Sequence, residues 1–123
     1  MEKYNKFIGN LGEQAAKNYL IKNGYKILTT NYSCRFGEID MIAMDKECLV
    51  FIEVKTRTTS KYGHPENAVN YWKKKHLELA ARNYIDYNRM DNYIARFDVV
   101  EVFAKYDDNK FIVERINVIK NIL

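Results

Sequence analysis

The sequence predicts an α/β fold with a mixed central sheet flanked by helices and the element order αβββαββ. Two stretches carry apolar residues at helical spacing, and five shorter stretches are rich in β-branched and aromatic residues. The connection between the third and fourth strands is long enough for a crossover, which predicts that they are parallel neighbours or near neighbours. The 123 residues show no composition break and no repeat, so we expect one domain over residues 1–123.

Local patterns place each element. The apolar residues of the first helix, residues 8–23, fall on one face: Leu11, Ala15, Ala16, Tyr19 and Leu20. Gly24 follows them as a C-terminal cap. The second helix is predicted from residue 66 to about residue 88, because Pro65, the only proline, suits a first helical turn. Residues 56–64 show no periodicity and predict a loop. The strands are predicted at residues 25–32, 38–44, 48–55, 94–104 and 111–119.

Composition indicates a globular protein, because 47% of the residues are hydrophobic and 29% are charged. The net charge of +4 permits attraction to nucleic acid, but a chain rich in lysine, asparagine and isoleucine could also carry that excess as a composition bias. Cys34 and Cys48 are too few and too far apart for a redox pair or a zinc site, so we interpret them as reduced thiols. The absence of a membrane-spanning run and of a signal-peptide pattern predicts a cytoplasmic protein with no membrane partner.

Charged residues lie at the two ends that a hairpin of the second and third strands would bring together. Glu38 and Asp40 share one strand face, as do Glu53 and Lys55, because residues two apart in a strand point the same way. If the turn at residues 45–47 holds an even number of residues, Asp40 lies opposite Glu53, with Cβ atoms about 5 Å apart. Two carboxylates at that distance repel by roughly 3 kcal/mol at an effective dielectric constant of about 20, so the pair requires a cation.

Lys55 supplies one positive charge, and Mg²⁺ or Mn²⁺ would balance the remainder, because hard divalent cations prefer carboxylate oxygens. An acid on one strand and acid-x-lysine on the next provide the parts for metal-assisted hydrolysis of a phosphodiester, with Asp40 and Glu53 on the metal. The competing interpretation is an ordinary strand-end ion pair between Glu53 and Lys55. The presence of Asp40 on the neighbouring strand favours the metal site.

The helices add further candidates. Glu13 lies just outside the apolar arc of the first helix, where it either faces the rim of the sheet or is a surface glutamate. Gly12 beside it indicates that this turn approaches the sheet closely. In the second helix, Lys73 and His76 fall inside the apolar arc. Lys73 must therefore snorkel or meet a negative partner, and it lies near enough to the helix start to reach the strand ends or a phosphate there. His76 is interpreted as a packed, hydrogen-bonded histidine.

Six segments together resemble the YraN-like family of small bacterial proteins. In chain order they read GNLGEQAAKNYL, GYKILTTNY, FGEIDMIAMD, LVFIEVKTR, AVNYWKKKHLELAA and RFDVVEV. The resemblance implies membership of the PD-(D/E)xK nuclease superfamily and a restriction-endonuclease-like fold, similar to that of archaeal Holliday junction resolvases. Glu13, Asp40, Glu53 and Lys55 match the acids and the lysine of that superfamily, and Ile39 stands where its name has proline.

The resemblance implies a metal-dependent endonuclease that cuts DNA, branched or otherwise structured, with Mg²⁺ or Mn²⁺. Asp40, Glu53 and Glu13 would bind the metal together with the backbone carbonyl of Val54, because the middle residue of the acid-x-lysine motif often contributes that group. Lys55 would assist the attacking water. Asp40, Glu53 and Lys55 are therefore the expected catalytic residues.

Other basic residues would hold the DNA. Lys73, Arg57 and Lys61 are expected to contact phosphates, although Arg57 and Lys61 lie in the predicted loop and could equally be solvated charges. Symmetric cutting of two strands would call for a homodimer. The alternative function is a nucleic-acid-binding or assembly module without turnover, and the complete set of acids and lysine favours the enzyme. Arg96 and Asp98 share a strand face and are interpreted as a structural pair.

Overall fold

The computed structural model describes residues 2–58 and 71–122. The elements are α1 (Glu2–Lys22), β1 (Lys26–Cys34), β2 (Gly37–Asp45), β3 (Cys48–Thr58), α2 (Tyr71–Asn88), β4 (Ile94–Asp107) and β5 (Lys110–Ile119). This order confirms the predicted αβββαββ arrangement. The predicted start of the second helix, Pro65 and most of the predicted loop at residues 56–64 lie outside the described residues. Within the described ranges, no helix is both long and apolar enough to cross a bilayer.

The five strands form one mixed sheet in the order β1-β2-β3-β4-β5. Only β3 and β4 pair in parallel, and the other three neighbouring pairs are antiparallel. One apolar cluster packs Leu20 of α1 against Val50, and a second packs Leu77 of α2 against Leu49 and Phe51. Because successive residues of β3 point to opposite faces, the two helices flank the sheet on opposite sides.

The helix α1 begins at Glu2, six residues before the predicted start at residue 8. Its first turns are held by Tyr4 and Phe7, whose rings meet the ring of Tyr106 edge to face at centroid distances of 6.1 and 5.6 Å. This contact involves β4, so helical periodicity alone could not predict it. The predicted cap is confirmed, because Gly24 has a φ of +89° and the amides that follow the helix donate back to its last turn.

The strand β3 continues through Thr58, so the prediction of a loop is wrong for residues 56–58. These residues pair in parallel with Val102, Phe103 and Ala104 of β4. The reason is tertiary, since β4 supplies backbone hydrogen-bonding partners to a segment whose sequence, Thr-Arg-Thr, carries no apolar alternation. Arg57 therefore lies in a strand.

A partly buried ion-pair network lies near the β2–β3 turn. The Arg96 Nε group donates to both carboxylate oxygens of Asp98, at 3.0 and 3.1 Å. Its terminal nitrogen donates to Asp45 at 2.7 Å and to the Tyr25 hydroxyl at 3.0 Å. Asp98 is only 1% exposed and also accepts the backbone N–H of Asn121 at 3.0 Å. The predicted structural pairing of Arg96 with Asp98 is confirmed.

Candidate active site

The β2–β3 hairpin has a two-residue turn, because Asp45 pairs with Cys48. With this even number of turn residues, continuing the same register places Asp40 opposite Glu53, as the sequence predicted. The antiparallel pairing of β2 with β3 extends from the turn to Met41 and Ile52, and it ends one residue before Asp40 and Glu53. We call the turn side the closed end of the hairpin and the side of the acids its open end.

The open end begins where Asp40 enters the gap between the two strands. The Val54 N–H donates to Asp40 Oδ2 at 2.8 Å, so a side-chain oxygen takes the place of a backbone partner from β2. Ile39 packs in the cluster under α2, whereas Met41 packs in the cluster under α1. A regular strand would place these two residues on the same face. The break in alternation directs the Asp40 carboxylate along the sheet toward β3.

Glu53 lies at the centre of the open end, with its side chain 14% exposed. Lys55 Nζ lies 3.6 Å from Glu53 Oε1, which confirms that these two residues share a face of β3. Lys73 of α2 places its ammonium against the same oxygen. Glu53 Oε2 is buried and has no hydrogen-bonding partner in the part of the chain that the structure describes. Two cations thus crowd one oxygen of the carboxylate while the other is unsatisfied.

Two acids at the open end, Asp40 and Glu13, have a raised pKa. Burial raises the pKa of Asp40, the hydrogen bond from Val54 opposes that rise, and the negative charge of Glu53 adds to it. Burial also raises the pKa of Glu13, and the charges of Asp40 and Glu38 raise it further. The carboxylates therefore lie close enough to repel, as the sequence predicted for Asp40 and Glu53.

The two lysines differ in how firmly they hold a proton. Burial lowers the pKa of Lys55, and the adjacent amine of Lys73 lowers it further, while the Glu53 carboxylate opposes both effects. Burial would also lower the pKa of Lys73, but its contacts with Glu53 and Lys55 more than offset that effect and raise it. Lys55 is thus the lysine that gives up its proton more readily.

The helix α1 carries Glu13 to the rim of this site. A Cβ atom on Gly12 would lie 1.8 Å from the Thr56 hydroxyl oxygen, so only glycine permits this contact between helix and strand. The predicted close approach at Gly12 is confirmed. Glu13 lines a cavity of about 260 Å³ together with Val54 and Lys55. It therefore faces the sheet rather than the outer surface of the helix.

The donor chemistry of the open end fits a divalent cation that prefers oxygen. Asp40 and Glu53 supply carboxylates, and the carbonyl of Val54 faces the same gap as its N–H, because both groups of a strand residue point to one side. Glu53 Oε2, which has no hydrogen-bonding partner in the described part of the chain, has the capacity for a ligand. Within residues 2–58 and 71–122, no group of three or more acidic, histidine or cysteine side chains is close enough to hold a metal. Metal ligation by Glu13 therefore stays a prediction.

The basic residues expected to contact DNA have different environments. Lys73 lies on α2 beside Glu53, with its side chain 36% exposed. Arg57 lies in β3 and pairs with Glu101 Oε2 at 3.6 Å, which corrects its placement in a flexible loop. The Asn117 amide donates to the other oxygen of Glu101 at 3.1 Å. Lys61 lies outside the described residues.

Sequence reasoning missed a cleft between the β1–β2 turn and α2. We call it the turn cleft; it has a volume of about 580 Å³ and is lined by Arg35, Phe36, Glu38, Lys73, His76 and Leu77, among others. The His76 Nδ1–H donates to the Phe36 carbonyl at 2.8 Å, so the predicted hydrogen bonding of His76 is confirmed. The prediction that His76 is packed is wrong, because the residue is exposed. The only sequence signal for the cleft was an aromatic residue inside a polar turn.

The fold and the site together define an α/β protein with an acid and lysine cluster at the open end of a β-hairpin. The sequence model of the uncharacterised protein family UPF0102 matches residues 12–102. The chain belongs to this family, and the resemblance to YraN-like proteins is confirmed at that level.

Relatives in the family match most of the chain. A UPF0102 protein of Caldicellulosiruptor bescii is 47% identical over 117 residues, which cover 94% of this chain and 96% of the relative. One from Clostridium tetani is 46% identical over 110 residues, covering 89% and 90%. One from Syntrophus aciditrophicus is 50% identical over 97 residues, covering 79% and 76%. The three relatives carry the family description and no named activity.

Proposed function

We propose that this protein is a metal-dependent endonuclease that hydrolyses phosphodiester bonds in DNA, with branched or otherwise structured DNA as its substrate. The observation that carries the proposal is the convergence of Asp40, Glu53 and Lys55 at the open end of the hairpin, where one buried carboxylate oxygen of Glu53 has no hydrogen-bonding partner among residues 2–58 and 71–122. Acids and amines that meet in a partly buried cluster, with the pKa of Asp40 raised and that of Lys55 lowered, are typical of catalytic sites.

The proposal assigns the fold to the restriction-endonuclease-like class of the PD-(D/E)xK superfamily. The αβββαββ order and the crossover through α2 into a parallel neighbour of β3 support that assignment. A fold does not establish an activity, so the catalytic proposal depends on the site.

Each residue has a chemical role in the proposal. Asp40, Glu53 and the Val54 carbonyl would hold Mg²⁺ or Mn²⁺, with Glu13 as a further ligand. When bound, the ion polarises the phosphodiester and lowers the pKa of water. Lys55 orients the attacking water, and because its pKa is lowered, a larger fraction of it than of an ordinary lysine is neutral and able to take a proton at Nζ.

Lys73 stabilises the negative site before substrate arrives. Its ammonium contacts Glu53, and its partial exposure allows it to turn toward a phosphate that enters the site. Lys73 would thus exchange one negative partner for another. Arg57 and Lys61 are assigned to further phosphate contacts, and Arg57 has to loosen from Glu101 to make one.

A nucleic-acid-binding or assembly module that retains this fold is the second candidate. The observation that favours it is the pair of lysines against Glu53, which partly neutralises the site without any metal ion. A module of this kind would bind DNA by charge and leave it intact.

The experiment that separates the two candidates incubates purified protein with linear duplex, flap and four-way-junction DNA in Mg²⁺, Mn²⁺, Ca²⁺ or EDTA. We expect cleavage with Mg²⁺ or Mn²⁺ only, because Ca²⁺ takes more ligands in looser geometry. Asp40→Asn and Lys55→Ala should abolish cutting while circular dichroism reports an intact fold. Asp108→Asn and Lys105→Ala, the same changes at exposed positions of the β4–β5 hairpin, should cut normally.

Two results would overturn the catalytic proposal in favour of the module. One is the absence of cleavage of every substrate under every metal condition. The other is cleavage by Asp40→Asn protein at the wild-type rate, because a contaminating nuclease would then account for the activity. Sedimentation of the protein on a four-way junction tests whether two copies act together.

A further inference from the structure

The turn cleft has the size and position of a ligand site. Its volume of about 580 Å³ lies within the range of roughly 300–1,000 Å³ that is common for small-molecule sites. It lies between the β1–β2 turn and α2, on the face of the sheet that also carries Glu53. Lys73 lines the cleft and also contacts Glu53, so the cleft adjoins the open end of the hairpin.

An arginine and an aromatic ring form a platform in this cleft. The Arg35 guanidinium lies 4.7 Å from the centroid of the Phe36 ring, and Arg35 is exposed. Phe36 packs against the apolar cluster under α2, which fixes the ring from its inner side. The bond from His76 to the Phe36 carbonyl holds the turn against the helix. Planar guanidinium groups supported in this way stack well on nucleobases.

The charge of the cleft suits a nucleotide. Arg35 and Lys73 contribute positive charges, Glu38 is the acid among the lining residues, and Leu77 adds an apolar surface. Proteins bind single-stranded nucleic acid without sequence preference mainly by stacking side chains on its bases and by attracting its phosphates with positive charge. A paired base inside a duplex cannot use the platform, because its faces are covered by neighbouring base pairs.

We propose that the turn cleft binds an unpaired nucleotide of the DNA strand that enters the open end of the hairpin. The base stacks on the Arg35 and Phe36 platform, and the adjoining phosphate lies near Lys73. DNA with a single-stranded segment beside the cut, such as a flap, is then the preferred substrate. The claim that the unpaired nucleotide lies beside a cut rests on the proposed endonuclease function, whereas the claim that the cleft binds it does not.

The test measures binding in EDTA, where no cleavage occurs, by fluorescence anisotropy with labelled single-stranded DNA, flap DNA and blunt duplex. Arg35→Ala and Phe36→Leu should weaken binding of single-stranded and flap DNA by about fivefold or more, the lower bound for loss of one stacked base. Blunt duplex binding should change by less than about twofold, because its bases are already stacked. Thermal melting verifies that each variant is folded.

The chain offers a matched control in a second arginine over a phenylalanine ring. Arg115 lies 4.0 Å from the centroid of the Phe103 ring on β4 and β5, outside the cleft. Arg115→Ala and Phe103→Leu make the same chemical changes and should leave single-strand binding at the wild-type level. A 2-aminopurine base in the strand reports stacking directly, and its quenching should disappear with Arg35→Ala, a variant at an exposed position that leaves the core intact.

The outcomes separate this proposal from the endonuclease proposal. Single-strand binding that depends on Arg35, in a protein that cuts no substrate, supports the cleft and overturns the endonuclease. Cleavage of flap DNA with no dependence of binding on Arg35 overturns the cleft alone. Equal losses for single-stranded and duplex DNA, or equal losses in the Arg115→Ala control, also overturn the cleft, because the effect would then be one of general charge.

Discussion

Replacing Arg96 with methionine tests whether the buried network at the closed end holds the fold together. The change keeps much of the length and volume of the side chain and removes its charge. Asp98, which is 1% exposed, then keeps a negative charge with the Asn121 amide as a remaining donor. Asp45 loses its bond of 2.7 Å at the same time.

The loss of folding stability expected for Arg96→Met follows from the burial of Asp98. Removal of one partner of a buried ion pair costs about 3–5 kcal/mol, because the other charge stays buried without compensation. The entropy of unfolding is about 2.1 cal/mol/K per residue, which for 123 residues converts that cost to a fall of about 12–19 °C in melting temperature. Adding Asp98→Asn to Arg96→Met should recover part of the loss, since it removes the uncompensated charge.

Arg82 provides the matched control. It also faces two aspartates, Asp86 at 3.7 Å and Asp91 at 3.5 Å, but its side chain is 63% exposed. Exposed pairs of this kind contribute about 0.2–1 kcal/mol, so Arg82→Met should lower the melting temperature by less than about 4 °C. Both variants are compared with wild type by calorimetry and urea denaturation at neutral pH.

Two results would refute the reasoning. An Arg96→Met protein within about 1 kcal/mol of wild type would mean that the network does not stabilise the fold. Equal losses for Arg82→Met and Arg96→Met would mean that burial is not the cause. Well below its melting temperature, Arg96→Met should bind DNA like wild type, because its contacts are at the closed end.

Two further predictions concern local contacts. Gly12→Ala places a Cβ atom 1.8 Å from the Thr56 hydroxyl oxygen, so it should destabilise the protein by about 1–3 kcal/mol in urea, with partial recovery when Thr56→Ala is added. Gly9→Ala, with nothing within 4 Å of the new atom, should not destabilise it, and a loss equal to that of Gly12→Ala would contradict the clash. Arg96 lowers the pKa of Asp45 from 3.8, so the stability that Asp45 contributes is present above that value and lost as the pH falls through the lowered pKa. The stability difference between wild type and Asp45→Asn should therefore shrink below about pH 4 in acid titrations, and a constant difference would contradict the assignment.

The shared face of Glu53 and Lys55 could be predicted from the sequence, because it follows from the two-residue period of a strand. The register that brings Asp40 to Glu53 depends only on the parity of a short turn. The capping by Gly24 was predictable for the same reason, since it is a local backbone requirement. Glycine on the buried face of α1 indicated a close approach at Gly12, but its partner Thr56 lies on another element and could not be named from the sequence.

Contacts between distant segments could not be predicted. Arg57 belongs to a strand only because β4 extends beside it and supplies hydrogen-bonding partners. The turn cleft exists because α2 lies against the β1–β2 turn, and no periodicity in either segment reveals that contact. The break in alternation at Asp40 is also tertiary, since Ile39 and Met41 pack under different helices.

The two ends of the β2–β3 hairpin differ in whether their carboxylate oxygens have hydrogen-bonding partners. This difference supports a functional role for the open end. At the closed end, Asp98 is buried but accepts hydrogen bonds from Arg96 and from a backbone amide, so its charge is satisfied within the protein. At the open end, two lysines contact one oxygen of Glu53, while the other oxygen is buried without a partner among the described residues, and Asp40 lies half-buried beside it. A protein that needed only stability could have paired that oxygen as it did at the closed end, because a buried unsatisfied acceptor costs about 1–3 kcal/mol. The cost is understandable if a ligand supplies the missing positive charge, as a divalent cation with a DNA phosphate would.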